Sequence, residues 1–209
     1  MALSTFNPRS FDLSDTYAFT GTVSGTNVGG GSLVKISEQT ASASPSISFT
    51  GIDSTYRTYL FKFINMHPSN DNVYFRFQGS TNGGSSYGVT ATTTHFKAYH
   101  SESGTNPTLA YQTADDLAQS TSYINLAQGM GTDNDQQTSG ELWLFNPSST
   151  TYVKHFMARM ANYQTSNYAQ DLYTAGYLNT TSAINAIDFE MGIGNIDDGT
   201  IKLFGVKKT

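Results

Sequence analysis

Four histidines, His67, His95, His100 and His155, are the side chains best suited to bind a metal or move a proton near neutral pH. His95 and His100 lie five residues apart, and in an extended strand that spacing sends the two rings to opposite faces. No third histidine or carboxylate stands at a spacing that completes a zinc site. The four therefore read as surface or strand-end histidines with local hydrogen bonds. Carboxylates pair at Asp115 and Asp116 and at Asp197 and Asp198, while Glu102, Glu141 and Glu190 fall in or beside strand-like runs. A glycosidase needs two carboxyls about 5 to 9.5 Å apart across a cleft, a separation that order along the chain does not supply. Sixteen acids among 209 residues leave none looking surplus. The serines are read as lacking a nucleophile elbow, which needs a strained strand-to-helix turn. In Thr132-Asp-Asn-Asp-Gln136, Asp133 and Asp135 offer oxygen ligands at alternate positions, but the central Gly and distant Glu of a helix-loop-helix calcium site are missing. A polar turn is the expectation there, with Asp133 and Asp135 the only weak metal candidates. Asn179-Thr-Thr181 matches a glycosylation sequon, which matters only in a secretory compartment. No cofactor and no enzymatic activity are expected.

Recognition is better supplied than catalysis. In the run from Tyr163 to Tyr177, four tyrosines (163, 168, 173 and 177) alternate with amides, hydroxyls and Gly. Tyrosine gives large contact area at low entropic cost and Ser, Asn and Gly adapt their hydrogen bonds, as in evolved recognition loops. Tyr163, Asn167 and Tyr168 are the candidate recognition residues. Tyr173 and Tyr177 read equally as strand residues that fill space. The single Trp143, inside the apolar run Glu141-Leu-Trp-Leu-Phe145, reads as core or subunit interface before sugar platform.

These residues need a scaffold, and the composition describes it. Thirteen Phe, thirteen Tyr and one Trp can build a core, while charged residues make up only 13% against about 25% in an average domain. A net charge of −5 with only 11 Lys and Arg argues against nucleic-acid binding and anionic membranes. With no Cys, disulfides and thiol chemistry are excluded. No apolar run of about 18 residues is present, and the N-terminus lacks the pattern of a signal peptide. Residues 1–45 are read as an arm and linker, poor in bulky apolar residues and carrying the Gly-rich run Gly25-Thr-Asn-Val-Gly-Gly-Gly-Ser32. Within them Tyr17, Phe19 and Val23 have strand periodicity, and a lone strand wants a partner. That partner is the main domain, a scaffold protein, or the same arm in further copies of the chain. From residue 46 to 209, strand-like runs alternate with turns at the spacing of an all-β antiparallel sandwich, and their number favours a jelly roll. In Tyr59-Leu-Phe61-Lys-Phe63 and Val73-Tyr-Phe75-Arg-Phe77 the aromatics Phe61, Phe63, Phe75 and Phe77 should face the core, with Lys62 and Arg76 toward water. Asp197-Asp-Gly199 reads as a turn, and Leu109–Ala118 as the one short helical candidate.

The segment Asp12-Leu-Ser-Asp-Thr-Tyr-Ala-Phe-Thr-Gly-Thr-Val-Ser-Gly25 resembles a short β repeat near the start of tailed-phage tail-fibre proteins. Asp198-Gly-Thr-Ile-Lys-Leu-Phe-Gly-Val206 is similar to the last strand of phage fibre head domains. Between them, Tyr56 to Pro68, Gln78 to Ser85 and Ser139 to Pro147 follow the strand order of such domains, particularly in marine phages and cyanophages. The resemblance implies a virion structural protein, commonly homotrimeric, assembled in the host cytoplasm and bound to other virion proteins. It would anchor through Tyr17, Phe19 and Val23 and present its sandwich toward a host surface glycan or protein. A fibre ordinarily has a long repetitive shaft, and barely 45 residues precede this sandwich, which points to a short fibre or spike or to a capsid decoration protein. A carbohydrate-binding module and a glycan-degrading enzyme are the readings of other classes.

Overall fold

The computed structural model describes residues 32–207, and Tyr17, Phe19 and Val23 lie outside them. Twelve strands and no helix form this part of the chain. They are β1 (Leu33–Thr40), β2 (Ser46–Thr50), β3 (Thr58–Pro68), β4 (Val73–Ser80), β5 (Ala91–Ser101) and β6 (Thr108–Tyr111). After these come β7 (Ile124–Met130), β8 (Thr138–Phe145), β9 (Lys154–Gln164), β10 (Tyr168–Leu178), β11 (Ala186–Met191) and β12 (Ile196–Val206). All pairings are antiparallel. An eight-stranded layer runs β1-β12-β3-β8-β9-β10-β5-β6, and a four-stranded layer runs β7-β4-β11-β2.

The two layers make a nearly closed, barrel-like sandwich. Along one seam β7 meets β9 through a single bridge, Met130 to Gln164, reinforced by the Asn162 amide donating to the Gln128 carbonyl at 2.9 Å. Along the other, the corner between β1 and β2 is pinned by a Ser44–Ile196 bridge and by the Gln39 amide on the Ser48 carbonyl at 2.7 Å. Sheets left open at both seams would present unpaired backbone edges, and the seams shorten those edges.

Strand alternation is what fills the space between the layers. Phe61 and Phe63 of β3 point inward and meet Phe75 and Phe77 of β4, and all four are at most 1% exposed. Lys62 and Arg76, between them, reach solvent as expected. Phe189 of β11 sits at the centre, with ring centroids 5.1 to 6.3 Å from Phe49, Phe61, Phe63, Phe75 and Phe77, mostly edge to face.

Three details depart from expectation. β1 lies inside the stretch read as arm and linker, yet it pairs with β12 from Leu33–Val206 to Thr40–Thr200. Its outward Lys35 and Glu38 and its half-buried Val34 and Gln39 mark an edge strand covered on one side only, and a register slip between Lys35 and Ser37 breaks its alternation. The helical candidate is instead β6 followed by turns: Leu109 and Ala110 pair with Ala98 and Lys97 of β5. Asp197-Asp-Gly199 is not a connecting turn but an irregular stretch within β12, where register slips on either side of Asp198. Gly199 has φ +126° there, and a Cβ would press on the Asn65 carbonyl, so a bulge with Gly fits where a side chain does not.

Replacing Phe189 with Ala removes the ring that five others touch. Urea unfolding should show a loss of about 3 to 5 kcal/mol. A loss below about 1 kcal/mol would mean that the core does not depend on this contact.

Candidate functional site

β9 alternates without interruption from Lys154 to Asn162, even-numbered residues buried and odd-numbered ones exposed. Its odd positions, with the matching positions of β10, β5 and β8, form the outer face of the large layer. On that face four shallow grooves lie side by side. At the hairpin end, Tyr163, His100 and Glu102 wall a groove of about 440 Å³ above Ala161 and Ala169. It runs into a second of about 580 Å³, lined by Ala98, Pro107, Leu109 and Asp171. A third of about 470 Å³ is charged, with Lys62, Glu141, Arg159 and Asp171 around Ala161. The fourth, about 410 Å³, is apolar and lined by Phe145, His155, Met157, Ala175 and Tyr177. Small residues at 98, 161, 169 and 175 make the floors, so the grooves follow from side-chain size on neighbouring strands.

The walls are fixed by one stack. Phe96 and Tyr173, paired across β5 and β10, lie parallel with centroids 4.8 Å apart, and the Arg159 guanidinium covers the Tyr173 ring at 5.2 Å. Both faces of Tyr173 are therefore occupied. Arg159 also forks onto Asp171 through Nε and a terminal nitrogen at 2.9 and 2.8 Å. That guanidinium, helped by the Tyr173 hydroxyl, holds the Asp171 carboxyl below its ordinary range. Asp171 is thus a standing carboxylate and a poor proton donor. Glu141 accepts from Trp143 Nε1 at 2.9 Å and pairs with Lys62 at 3.4 Å. Glycosidase chemistry wants one carboxyl raised toward neutrality, and these two are committed to cations or to an indole.

The candidate residues separate in the structure. Tyr163 and Asn167 come together across the β9–β10 hairpin, the Tyr163 hydroxyl donating to Asn167 Oδ1 at 3.3 Å. Asn167 holds φ +61°, and its carbonyl accepts from the Glu102 amide at 3.0 Å, tying this hairpin to the turn after β5. Thr165 Oγ1 donates to Asp71 at 2.8 Å, which ties it to the β3–β4 turn as well. Tyr168 falls on the opposite face of β10, edge-on to Tyr99 at 5.5 Å. Tyr173 and Tyr177 join the outer face, and Trp143 is half-buried on it. Asp133 and Asp135 lie in the β7–β8 loop, where the Gln136 amide donates to Asp133 Oδ2 at 3.4 Å. Among the described residues no three His, Asp or Glu side chains gather closely enough to hold a metal.

One motif needs correcting. Gly84-Ser-Ser86-Tyr-Gly88 does fit the letters of a G-x-S-x-G elbow. The segment follows β4 in a loop with no helix after it, and Ser86 Oγ accepts from the Asn82 amide at 2.8 Å. The strained strand-to-helix geometry that activates such a serine is not formed.

The inner face of the same strands holds a polar layer that spacing along the chain did not reveal. His95 is fully buried on β5, and its Nδ1 lies 2.8 Å from Thr174 Oγ1, whose hydroxyl donates to the Asn125 carbonyl. With the threonine proton so used, Nδ1 carries the imidazole proton. Asp115, from the loop after β6, accepts from the Asn125 amide at 3.2 Å. Lys97 follows on β5, where the Gln128 amide, oriented to satisfy both neighbours, faces Lys97 Nζ at 2.7 Å and Asp115 at 3.0 Å. Lys154, also fully buried, is held by the carbonyls of Tyr152 and Thr180 at 2.8 and 3.0 Å, and burial lowers its affinity for a proton.

Burial pushes the His95 pKa down from 6.5 and Lys97 adds to this, against the opposing pull of Asp115 and Asp116. The unfolded chain therefore takes up a proton near pH 6.5 that the folded chain refuses. Stability should be full above that pH and fall below it, with a slope up to about 1.4 kcal/mol per pH unit. Urea unfolding at a series of pH values from 5 to 8 checks this against His95→Gln, which should flatten the slope. An unchanged slope would show that His95 is not the group responsible.

No protein-family model, no curated protein and no solved structure matches the chain.

Proposed function

We propose that the chain is a structural subunit of a tailed-phage particle, a short fibre or spike that fastens by its N-terminal arm and presents the sandwich for binding rather than catalysis. The observation that carries this reading is the way the extra hairpins are used. β1-β12-β3-β8 and β2-β11-β4-β7 alternate strands from the two halves of the chain, and we read this arrangement as a jelly roll. β5–β6 and β9–β10 are insertions into it, and both extend a single sheet beyond β8. They add a grooved outer face and a tip bearing Tyr163 and Asn167, with hydroxyl and amide groups held by neighbouring turns. Such a tip suits a host glycan or protein. The order of motifs that resembles phage fibre heads supports the same reading, as does a Cys-free, low-charge composition suited to assembly in a reducing cytoplasm. In this reading the working form is a homotrimer seated on other virion proteins.

Mass spectrometry of density-purified particles from the source culture tests it: peptides of this chain should band with the particles at low copy. A copy number matching the major capsid protein would make it a decoration subunit instead. Recovery only from the soluble fraction would overturn the virion role altogether. Changing Tyr17 and Phe19 to Ser in the full chain should abolish incorporation, and undiminished incorporation would refute the anchoring role of the arm.

A further inference from the structure

The two layers turn opposite kinds of surface outward. On the four-stranded layer the outward side chains bind one another. Arg76 grips Glu190 through Nε at 2.8 Å and a terminal nitrogen at 2.6 Å, and it also covers the Tyr123 ring at 5.2 Å. Ser48 and Tyr123 both donate to the Asp188 carboxylate. The eight-stranded layer instead leaves Leu33, Ile64, Phe96, Leu109, Tyr111 and Met157 exposed, between 39% and 74% of each residue. They share the face with half-buried Trp143 and Phe204.

Pairing register makes this one surface. A single row crosses all eight strands: Tyr111, Phe96, Tyr173, Arg159, Glu141, Lys62, Lys202 and Glu38. A parallel row runs Ala175, Met157, Trp143, Leu60 and Phe204, in which Leu60 itself is buried. From these rows we infer that the outer face of the eight-stranded sheet is the surface through which copies of this chain hold one another.

Three properties favour a copy of the same chain as the occupant. The first is extent: the 75 residues of the eight strands, at a rise of about 3.3 Å and a strand spacing of about 4.8 Å, give a face near 1,200 Å². A stable interface needs about 800 Å² per partner. The second is charge, because the ionised side chains on the strands of the face pair internally, Arg159 with Asp171, Lys62 with Glu141, and Lys35 and Lys202 with Glu38. Its strand residues carry four cations and three anions, and with Glu102 and Asp116 at the margin the face is near neutral on a chain whose net charge is −5, so two such faces meet without the repulsion that the rest of the surface would impose. The third is relief: the projecting Leu109 adjoins grooves floored by Ala98, Ala161 and Ala169, so the face carries both a ridge and a hollow to receive one. An apolar centre with ion pairs beside it is the anatomy of an interface between subunits.

Sedimentation of the full-length chain at micromolar concentration tests the inference. The chain should sediment as a multiple of 22.7 kDa. The double substitution Leu109→Glu with Met157→Glu should return it to a single 22.7 kDa species with an unchanged far-ultraviolet spectrum. Met157→Lys alone, a milder change at an exposed position, should weaken association at least tenfold and serves if the double variant does not fold. Tyr74→Glu, on the outer face of the other layer, should leave the assembly intact. A wild-type monomer, or face variants that keep the wild-type mass, would overturn the inference. Its failure is separable from that of the virion reading: a monomer that bands with particles overturns only the interface. A self-associating chain absent from particles overturns only the virion role.

Discussion

Phe189 touches more aromatic rings than any other described residue, Phe61 and Phe63 across the sandwich and Phe49, Phe75 and Phe77 in its own layer. Edge-to-face packing fixes the relative position of two sheets more tightly than aliphatic contact, because each ring edge must find a particular ring face. From that point outward the register of β3 and β11 is set, and β12 and β4 follow by pairing with them. β8 then pairs with β3, and β9 with β8, which carries the order of the core into the strands that bear the grooves.

The cost of extending one layer past the other appears on the inner side of β9, β10 and β5. The small layer ends at β7, which meets β9 at a single bridge, so apolar cover runs out where the hairpin strands continue. Buried positions there are taken by His95, Thr174, Asn162 and Gln170 in place of Phe and Leu. Burying such groups is tolerable only when they bond to one another, and most do: Thr174 to the Asn125 carbonyl, and Asn162 to both Gln170 and the Gln128 carbonyl. Among the described residues His95 Nε2 and Asn162 Oδ1 find no partner, a cost that this layer carries.

How much of this the sequence disclosed depended on whether a property is local. Alternation in β3 and β4 is local, and it correctly sent Phe61, Phe63, Phe75 and Phe77 inward. The β1 strand was hidden because a register slip between Lys35 and Ser37 breaks its two-residue alternation, so it looked like the linker before it. Leu109–Ala118 looked helical because its apolar residues lie three and four apart, yet partnership with β5 pulled its first residues into a strand. Tyr163 and Tyr168 looked alike in composition, but the two-residue period of β10 sent Tyr168 to the inner face. The Phe96–Tyr173–Arg159 stack joins residues far apart in the chain and only the pairing register exposes it.

That stack also decides what the outer face can bind. A sugar platform needs an aromatic ring with a free face, and Tyr173 has given one face to Phe96 and the other to Arg159. What projects from the sheet is a row of ring edges and aliphatic tips with paired charges beside it. Trp143 is withdrawn in the same way, half-buried and tethered through its nitrogen to Glu141. Flat faces select flat ligands, whereas edges and tips need a partner of matching relief over a wide area. The geometry of one stacked pair therefore sets the outer sheet face apart from the hairpin tip, where Tyr163 and Asn167 stand among acceptors and donors. Broad contact between proteins belongs on the sheet, and small polar recognition belongs at the tip, because the rings on the sheet are spent on one another.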